Sequence, residues 1–425
     1  MPYQRSLTIV APVRAGAERD LDGILATMGD GVANGSVIDF GALDGVHFAR
    51  VLLVPAAGGE SGAAASGTAL PASLILLSDF DVSVDAHLEQ LVESAGAGID
   101  QIFGHCEGYP EGERAGRDRL DYLRRHVVRE GARYVNTSGR TVRQIRQESA
   151  LRDAIEAFLD DPGRSWDGLD PGEVRRAVRE FVAQDPELAW ALEPAERPGL
   201  AARAREKAHL VAVPLLSLPL VPVLLVVAPF YAVLLRLHEQ RDEAPRVKPD
   251  EERVRLLAAL EDHVVQNPFT AIGQVKPSRF RRLTLVVVLF YLDYATRHFF
   301  NRGDLAGVKT IHFARWVFID GKRRMFFASN YDGSLESYMD DFIDKVAWGL
   351  NLVFSNGVGY PRTRWLVHGG ARDELAFKDY LRVHQVPTGV WYSAYDRLTA
   401  LNIQQNERLR AGLSGGDARE WVQSL

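Results

Sequence analysis

Two stretches of this chain open with the same four letters: "VHFARVLLV" (residues 46–54) and "IHFARWVFI" (residues 311–319), some 265 positions apart. Each is a β-branched and aromatic run of strand length. Aligning them exposes a repeat through most of the sequence. "SLTIVAPVR" (6–14) matches "PFTAIGQVK" (268–276), and "SLILLSDFDVSVDAHLEQL" (73–91) matches "RMFFASNYDGSLESYMDDF" (324–342), which puts Ser78 on Ser329 and Asp81 on Asp332. "IFGHCEGYP" (102–110) falls on "VFSNGVGYP" (353–361), and "DYLRRHVV" (121–128) on "DYLRVHQV" (379–386), with His126 on His384. Tyr134 meets Tyr392, and "TVRQIRQESALR" (141–152) meets "TALNIQQNERLR" (399–410). The blocks keep one order, so the chain reads as a duplication.

Each copy reads as strand, helix, strand, strand, helix and a later strand. In copy two the pattern places strands at 269–276, 310–319 and 323–330, a helix at about 278–300, and a turn at "DGKR" (320–323). Ser334 is the expected N-cap of the next helix, with Glu336 in its first turn. Copy one has the same order but carries a small-residue loop, "AAGGESGAAASGTALPA" (56–72), between its hairpin strands. This order is the ferredoxin-like βαββαβ pattern. The fold class is therefore α+β: duplicated ferredoxin-like domains, as two four-stranded sheets packed face to face. The expected division is copy one at 1–156, a helical linker at 157–266, and copy two with a C-terminal helix at 267–425.

Strand alternation sends His312, Ala314, Trp316 and Phe318 one way and Phe313, Arg315, Val317 and Ile319 the other. Both faces are apolar, so both are expected to be covered. The structural reading of the repeated motif pairs the arginine with a carboxylate such as Asp332 or Asp81, and gives the histidine a backbone carbonyl. A functional constraint kept in both copies would look the same.

Between the copies, "LVAVPLLSLPLVPVLLVVAPFYAVLL" (210–235) runs without a charge, flanked by Arg203, Arg205 and Lys207 before it and by Arg236 and Arg241 after it. By length it could span a bilayer. Pro214, Pro219, Pro222 and Pro229 interrupt its helical ladder. Two copies that pack on each other must share a compartment, so a helical hairpin that enters the membrane and returns is expected, with both basic ends on the anionic cytoplasmic face. A single span is the rival. The run from Leu283 to Leu292 reads as core, as a bilayer-surface helix, or as the wall of an apolar pocket.

Fifty Lys and Arg against 56 Asp and Glu, a net charge of -6, argue against a general nucleic-acid binder. The single cysteine, Cys106, excludes an intramolecular disulfide framework and a cysteine-based zinc site. No nucleophile elbow, phosphate loop or dinucleotide fingerprint occurs. The histidines lack metal-binding spacing, but a haem iron needs only one axial imidazole. His312 and His384 are the candidate ligands in copy two. Asn330 and Asp332, in "SNYDGS" (329–334), stand at a strand end where a site would be built, and also where an Asx turn and helix cap would stand.

With these residues in view, the tandem arrangement resembles the dye-decolourising peroxidases and their dimeric α+β barrel relatives. Copy two also resembles a set of uncharacterised bacterial membrane-attached proteins carrying "HFARW", "ASNYDGS", "DDFIDK" and "GYPRTRW" over nearly all of residues 267–412. The peroxidase resemblance implies haem in the second copy, His312 or His384 as its axial ligand, and Asp332 with Arg315 as distal groups. The G-x-x-D-G motif of those enzymes occurs as "GALDG" (41–45) in copy one, whereas copy two has "GDLAGVK" (303–309). The leading expectation is a membrane-attached, peroxidase-like haem protein acting on a hydroperoxide or lipidic substrate, with a possible homo-oligomer. The alternative is a non-catalytic scaffold that binds lipid or a small apolar ligand, and cofactor-free monooxygenase chemistry is a third.

Overall fold

The computed structural model describes residues 4–31, 37–56, 70–112, 115–195, 198–243, 247–262, 264–301, 303–423 and 425. The tip of the small-residue loop, 57–69, lies outside them. The first half runs β1 (Arg5–Pro12), α1 (Glu18–Gly31), β2 (Val46–Val54), β3 (Ser73–Phe80), α2 (Val84–Phe103), α3 (Gly116–Arg125) and β4 (Ala132–Val135). Helices α4 (Val142–Leu159), α5 (Pro171–Gln184), α6 (Leu200–Ser217), α7 (Val221–Arg241) and α8 (Glu251–Ala259) follow. The second half runs β5 (Gln266–Gln274), α9 (Arg279–His298), β6 (Ile311–Ile319), β7 (Arg324–Asp332) and α10 (Leu335–Phe354). It ends with the small hairpin β8 (Thr363–Arg364) and β9 (His368–Gly369), then α11 (Glu374–His384), β10 (Val390–Ser393), α12 (Ala400–Gly412) and α13 (Ala418–Val422). Ser334 caps α10 as expected, its hydroxyl accepting from Ser337 N.

The strands form two antiparallel sheets, ordered β1-β3-β2-β10 and β4-β6-β7-β5. Each sheet takes three strands from one half and its fourth from the other. Tyr392 of β10 pairs with Ala49, and Tyr134 of β4 pairs with Ala314. This corrects the expectation that each copy completes its own sheet. The chain only brushes its own first strand, through Val128 N to Thr8 O (2.8 Å) and Val386 N to Thr270 O (2.9 Å), before crossing over. The crossing covers the outer edges of β2 and β6 within one molecule and leaves the short β10 and β4 as the outer strands on those sides.

Between the sheets, Leu52, Val54, Ile75 and Leu77 meet Val317, Ile319, Phe326 and Ala328 in a shared apolar layer. The opposite faces pack against α1 and α2 in one sheet and against α9 and α10 in the other. Corresponding positions make corresponding contacts. His87 of α2 stacks on Phe80 with ring centroids 3.9 Å apart and meets Ser78 Oγ at 2.8 Å. Tyr338 of α10 stacks on Tyr331 at 4.1 Å and meets Ser329 Oγ at 2.6 Å.

The His87 site carries a pH consequence. Burial lowers its pKa to about 4, so the fold holds a neutral imidazole that becomes charged on unfolding. Its stabilisation is complete above the unfolded value of about 6.5 and is lost as pH falls towards 4, at up to about 1.4 kcal/mol per pH unit. Denaturation midpoints measured from pH 7 to 4 should show that slope in the native chain. The His87→Gln chain should lose it, and parallel profiles would refute the assignment.

Helices α4, α5, α12 and α13 close a separate apolar cluster around Leu151, Val178, Leu409 and Trp421. Beyond it, α6 and α7 are joined through a 3-10 turn, Leu218–Leu220, with helical backbone angles kept from Ser217 to Val221. The chain therefore does not reverse in a tight hairpin turn as expected. It bows instead. The α6 end docks on the C-terminal part of α9, through Glu206 with Arg297 (2.5 Å) and His209 Nδ1 with His298 Nε2 (2.8 Å). The α7 end docks on the N-terminal part, where His238 stacks on Phe280 at 4.9 Å and Tyr231 Oη meets Thr284 Oγ1 at 3.2 Å. The buried Glu239 fixes this end further, accepting from Trp365 N and Leu366 N. At ~1.5 Å per residue, 209 to 238 would span about 43 Å if straight, yet their partners 298 and 280 lie only about 27 Å apart along α9. The segment is an arch with both feet on one helix, and its prolines supply the bends.

Candidate functional site

The repeated motif begins at a β-bulge in both strands, between Val46 and Phe48 and between Ile311 and Phe313. The bulge breaks the expected alternation, placing His312 near Phe48 and Tyr395 rather than with Ala314 and Trp316. Neither histidine bonds a backbone carbonyl as expected. His312 Nε2 meets Asp332 Oδ1 at 2.7 Å, and Asp332 Oδ2 accepts from Ala400 N, at the start of α12, at 2.7 Å. His47 Nε2 meets Asp81 Oδ1 at 2.8 Å, and Asp81 Oδ2 accepts from Val142 N, at the start of α4, also at 2.8 Å. In each half one carboxylate orients an imidazole and accepts the first backbone N–H of the helix after the crossed strand, beside the N-caps Thr141 and Thr399. His47 Nδ1 also meets Tyr395 Oη at 2.8 Å.

The two arginines clamp the opposite sheet. Arg50 donates to Phe269 O (2.9 Å), Thr270 Oγ1 (2.9 Å), Ser329 O (2.7 Å) and Asn330 Oδ1. Arg315 donates to the matching Leu7 O (2.8 Å), Thr8 Oγ1 (3.2 Å) and Ser78 O (3.2 Å). The charges differ: Asp79 lies 2.5 Å and Glu130 3.6 Å from Arg315, where Arg50 has the neutral Asn330. Burial, and then the Arg315 charge, hold the Arg50 guanidinium below the usual arginine range.

The candidate residues do not converge on one centre. Asp332 and His312 are together, Asn330 lies between Arg50 and Trp391 Nε1 (3.2 Å), and Arg315 faces Asp79 rather than Asp332. His384 sits at the far end of β5. Its Nδ1 meets Tyr380 O at 2.8 Å, and its ring lies against Gly273, where an added Cβ would stand 3.2 Å away. Gly273 is seven residues along β5 from Gln266, the partner of Asp332, a distance of about 23 Å. "GALDG" leads into β2, with Asp44 exposed.

A haem would need an imidazole nitrogen open to a large cavity. Asp332 occupies His312 Nε2, and that side chain is 2% exposed. The cavity beside His384 is about 20 Å³ and the one between the two guanidiniums about 10 Å³, each near the size of one water. These residues do not fit a haem. Among the described residues, no group of three His, Cys, Asp or Glu side chains is placed to hold a metal.

This arrangement fits a structural joint, and Asp332→Ala should cost about 3 kcal/mol. About 1 comes from the lost hydrogen bond to Ala400 N in the first turn of α12, and the rest from a buried imidazole without its partner. Asp332→Asn should recover much of this, because its amide oxygen can still accept from Ala400 N. Chemical denaturation of both variants checks it. An unchanged midpoint for Asp332→Ala would contradict the structural role.

The surface holds a second candidate. Helices α6 and α7 expose nearly all their apolar side chains, including Leu216 (75%), Leu225 (71%) and Phe230 (73%). On α9 one face is core, with Leu285 and Leu289 buried, whereas Leu283, Val287, Phe290 and Tyr291 form an exposed stripe. The run 283–292 is thus both core and exposed surface, with Leu285 and Leu289 on the inner face and the stripe outside.

No family model, curated protein or solved structure matches this chain.

Proposed function

We propose that the protein is a membrane-attached, non-catalytic scaffold, built on duplicated ferredoxin-like halves as in a tandem dimeric α+β barrel. It contacts lipid through the α6–α7 arch from the cytoplasmic face. The observation that carries this reading is the arch, whose run Leu200–Arg241 is long and apolar enough to cross a bilayer, has none of its most apolar window buried, and has both ends docked on α9. A 27 Å base and limbs of about 15 and 28 Å put the apex on the order of 15 Å from α9. That is about half the ~30 Å hydrocarbon core, or one leaflet. Basic residues at both feet suit an anionic headgroup layer on one side. The peroxidase reading gives way because its candidate residues hydrogen-bond one another or the backbone.

Vesicle flotation of the full chain tests the attachment. The protein should rise with phosphatidylcholine vesicles, and labels at residues 199 and 248 should both be reached from the same side. Protein left at the bottom of the gradient would overturn attachment, and labels on opposite sides would overturn the arch. A Soret band in haem-supplied protein would overturn the non-catalytic reading.

A further inference from the structure

Four arginines from four distant segments converge beside the α6 foot of the arch. Arg5 begins β1, Arg133 lies on β4, Arg205 on α6 and Arg297 on α9, around a cavity of about 240 Å³. Two carboxylates line it, Glu206 and Asp293, so cations exceed anions by four to two. Glu206 is engaged by Arg297 through both oxygens. Among the described residues, neither Arg5 nor Arg205 has a carboxylate within ion-pair distance. Burial lowers the pKa of Arg5, and the charges of Arg205, Arg133 and Arg297 lower it further. Four cations against two carboxylates leave an excess of positive charge, which marks a place for an anion.

Resting on the membrane-attached reading, we propose that this cavity holds the headgroup of an anionic phospholipid. Two observations favour a lipid over a free anion. Arg205 precedes the uncharged run at Leu210 by five residues, about 7.5 Å of helix, so the cavity lies at the level where headgroups meet the arch. The cavity also adjoins a cleft of about 1360 Å³ that shares Arg5, Arg133 and Arg297 and is walled by Val128, Leu289 and Phe290. One end suits a phosphate and the other an acyl chain.

The test uses the full chain and the Arg5→Gln/Arg205→Gln variant, which breaks no ion pair given above, with circular dichroism to confirm folding. Both are titrated with phosphatidylcholine vesicles and with vesicles that also contain phosphatidylglycerol. The native chain should bind the anionic vesicles about thirtyfold more tightly than the variant, roughly fivefold for each arginine, while the two bind phosphatidylcholine equally. If native protein binds phosphatidylcholine but gains nothing from phosphatidylglycerol, the headgroup site is wrong and membrane attachment stands. If it binds neither, attachment itself is wrong and the site falls with it. Calorimetric binding of inorganic phosphate, lost in the variant and without any lipid preference, would give the cavity to a free anion and overturn the lipid assignment.

Discussion

The Leu225→Asp/Phe230→Asp chain is expected to lose membrane binding by at least about a hundredfold. Each aspartate placed in the hydrocarbon costs roughly 2.5–3.5 kcal/mol, and two exceed the ~2.7 kcal/mol that a hundredfold requires, even at the depth of a single leaflet. Both native side chains are more than two-thirds exposed, so the rest of the fold has no reason to respond. Flotation should leave the variant at the bottom of the gradient, with its circular dichroism and denaturation midpoint unchanged. A variant that floats like the native chain would remove the arch as the attachment. One that unfolds would show that the arch packs against protein.

The second large effect is an asymmetry between the two clamps. Arg315→Met leaves Asp79 buried without its cation, at a cost of about 3–5 kcal/mol. Arg50→Met leaves only neutral acceptors, Thr270, Asn330 and two carbonyls, and relieves the repulsion with Arg315. It should cost clearly less. Urea denaturation of both variants gives the comparison. Equal costs would mean that the Asp79 charge is not what Arg315 stabilises. The Arg50→Met/Asp79→Asn chain, left with Arg315 and the part-buried Glu130 at this crossing, separates the Asp79 contribution from the rest.

The strands were legible in the sequence because the runs at 46–54 and 311–319 are β-branched and aromatic, and their match set the order of elements. The strand crossing was not. Which edge Tyr134 or Tyr392 joins depends on where the other half lies, and neither β4 nor β10 carries that in its four residues. The partner of Arg315 was misjudged for a related reason. Asp332 and Asp79 stand two apart on matching strands, and the bulge at 311–313 decides which reaches a histidine and which an arginine. The uncharged run at 210–235 was legible by composition as long enough to cross a bilayer, whereas its bowed course comes from docking on α9. The four-arginine cavity left no local signal, since its members come from β1, β4, α6 and α9.

The crossed strands also order events during synthesis. The outer edge of β2, complete at Val54, stays uncovered until β10 begins at Val390, 336 residues later. At ~5–20 residues per second, that is a wait of about 17 to 67 s. The α6–α7 segment leaves the ribosome during that wait, well before the strand that closes the first sheet. A nascent chain with an open edge and an apolar segment is the form most exposed to aggregation, and early docking of that segment on a bilayer would hold the first half in place while its missing strand is made.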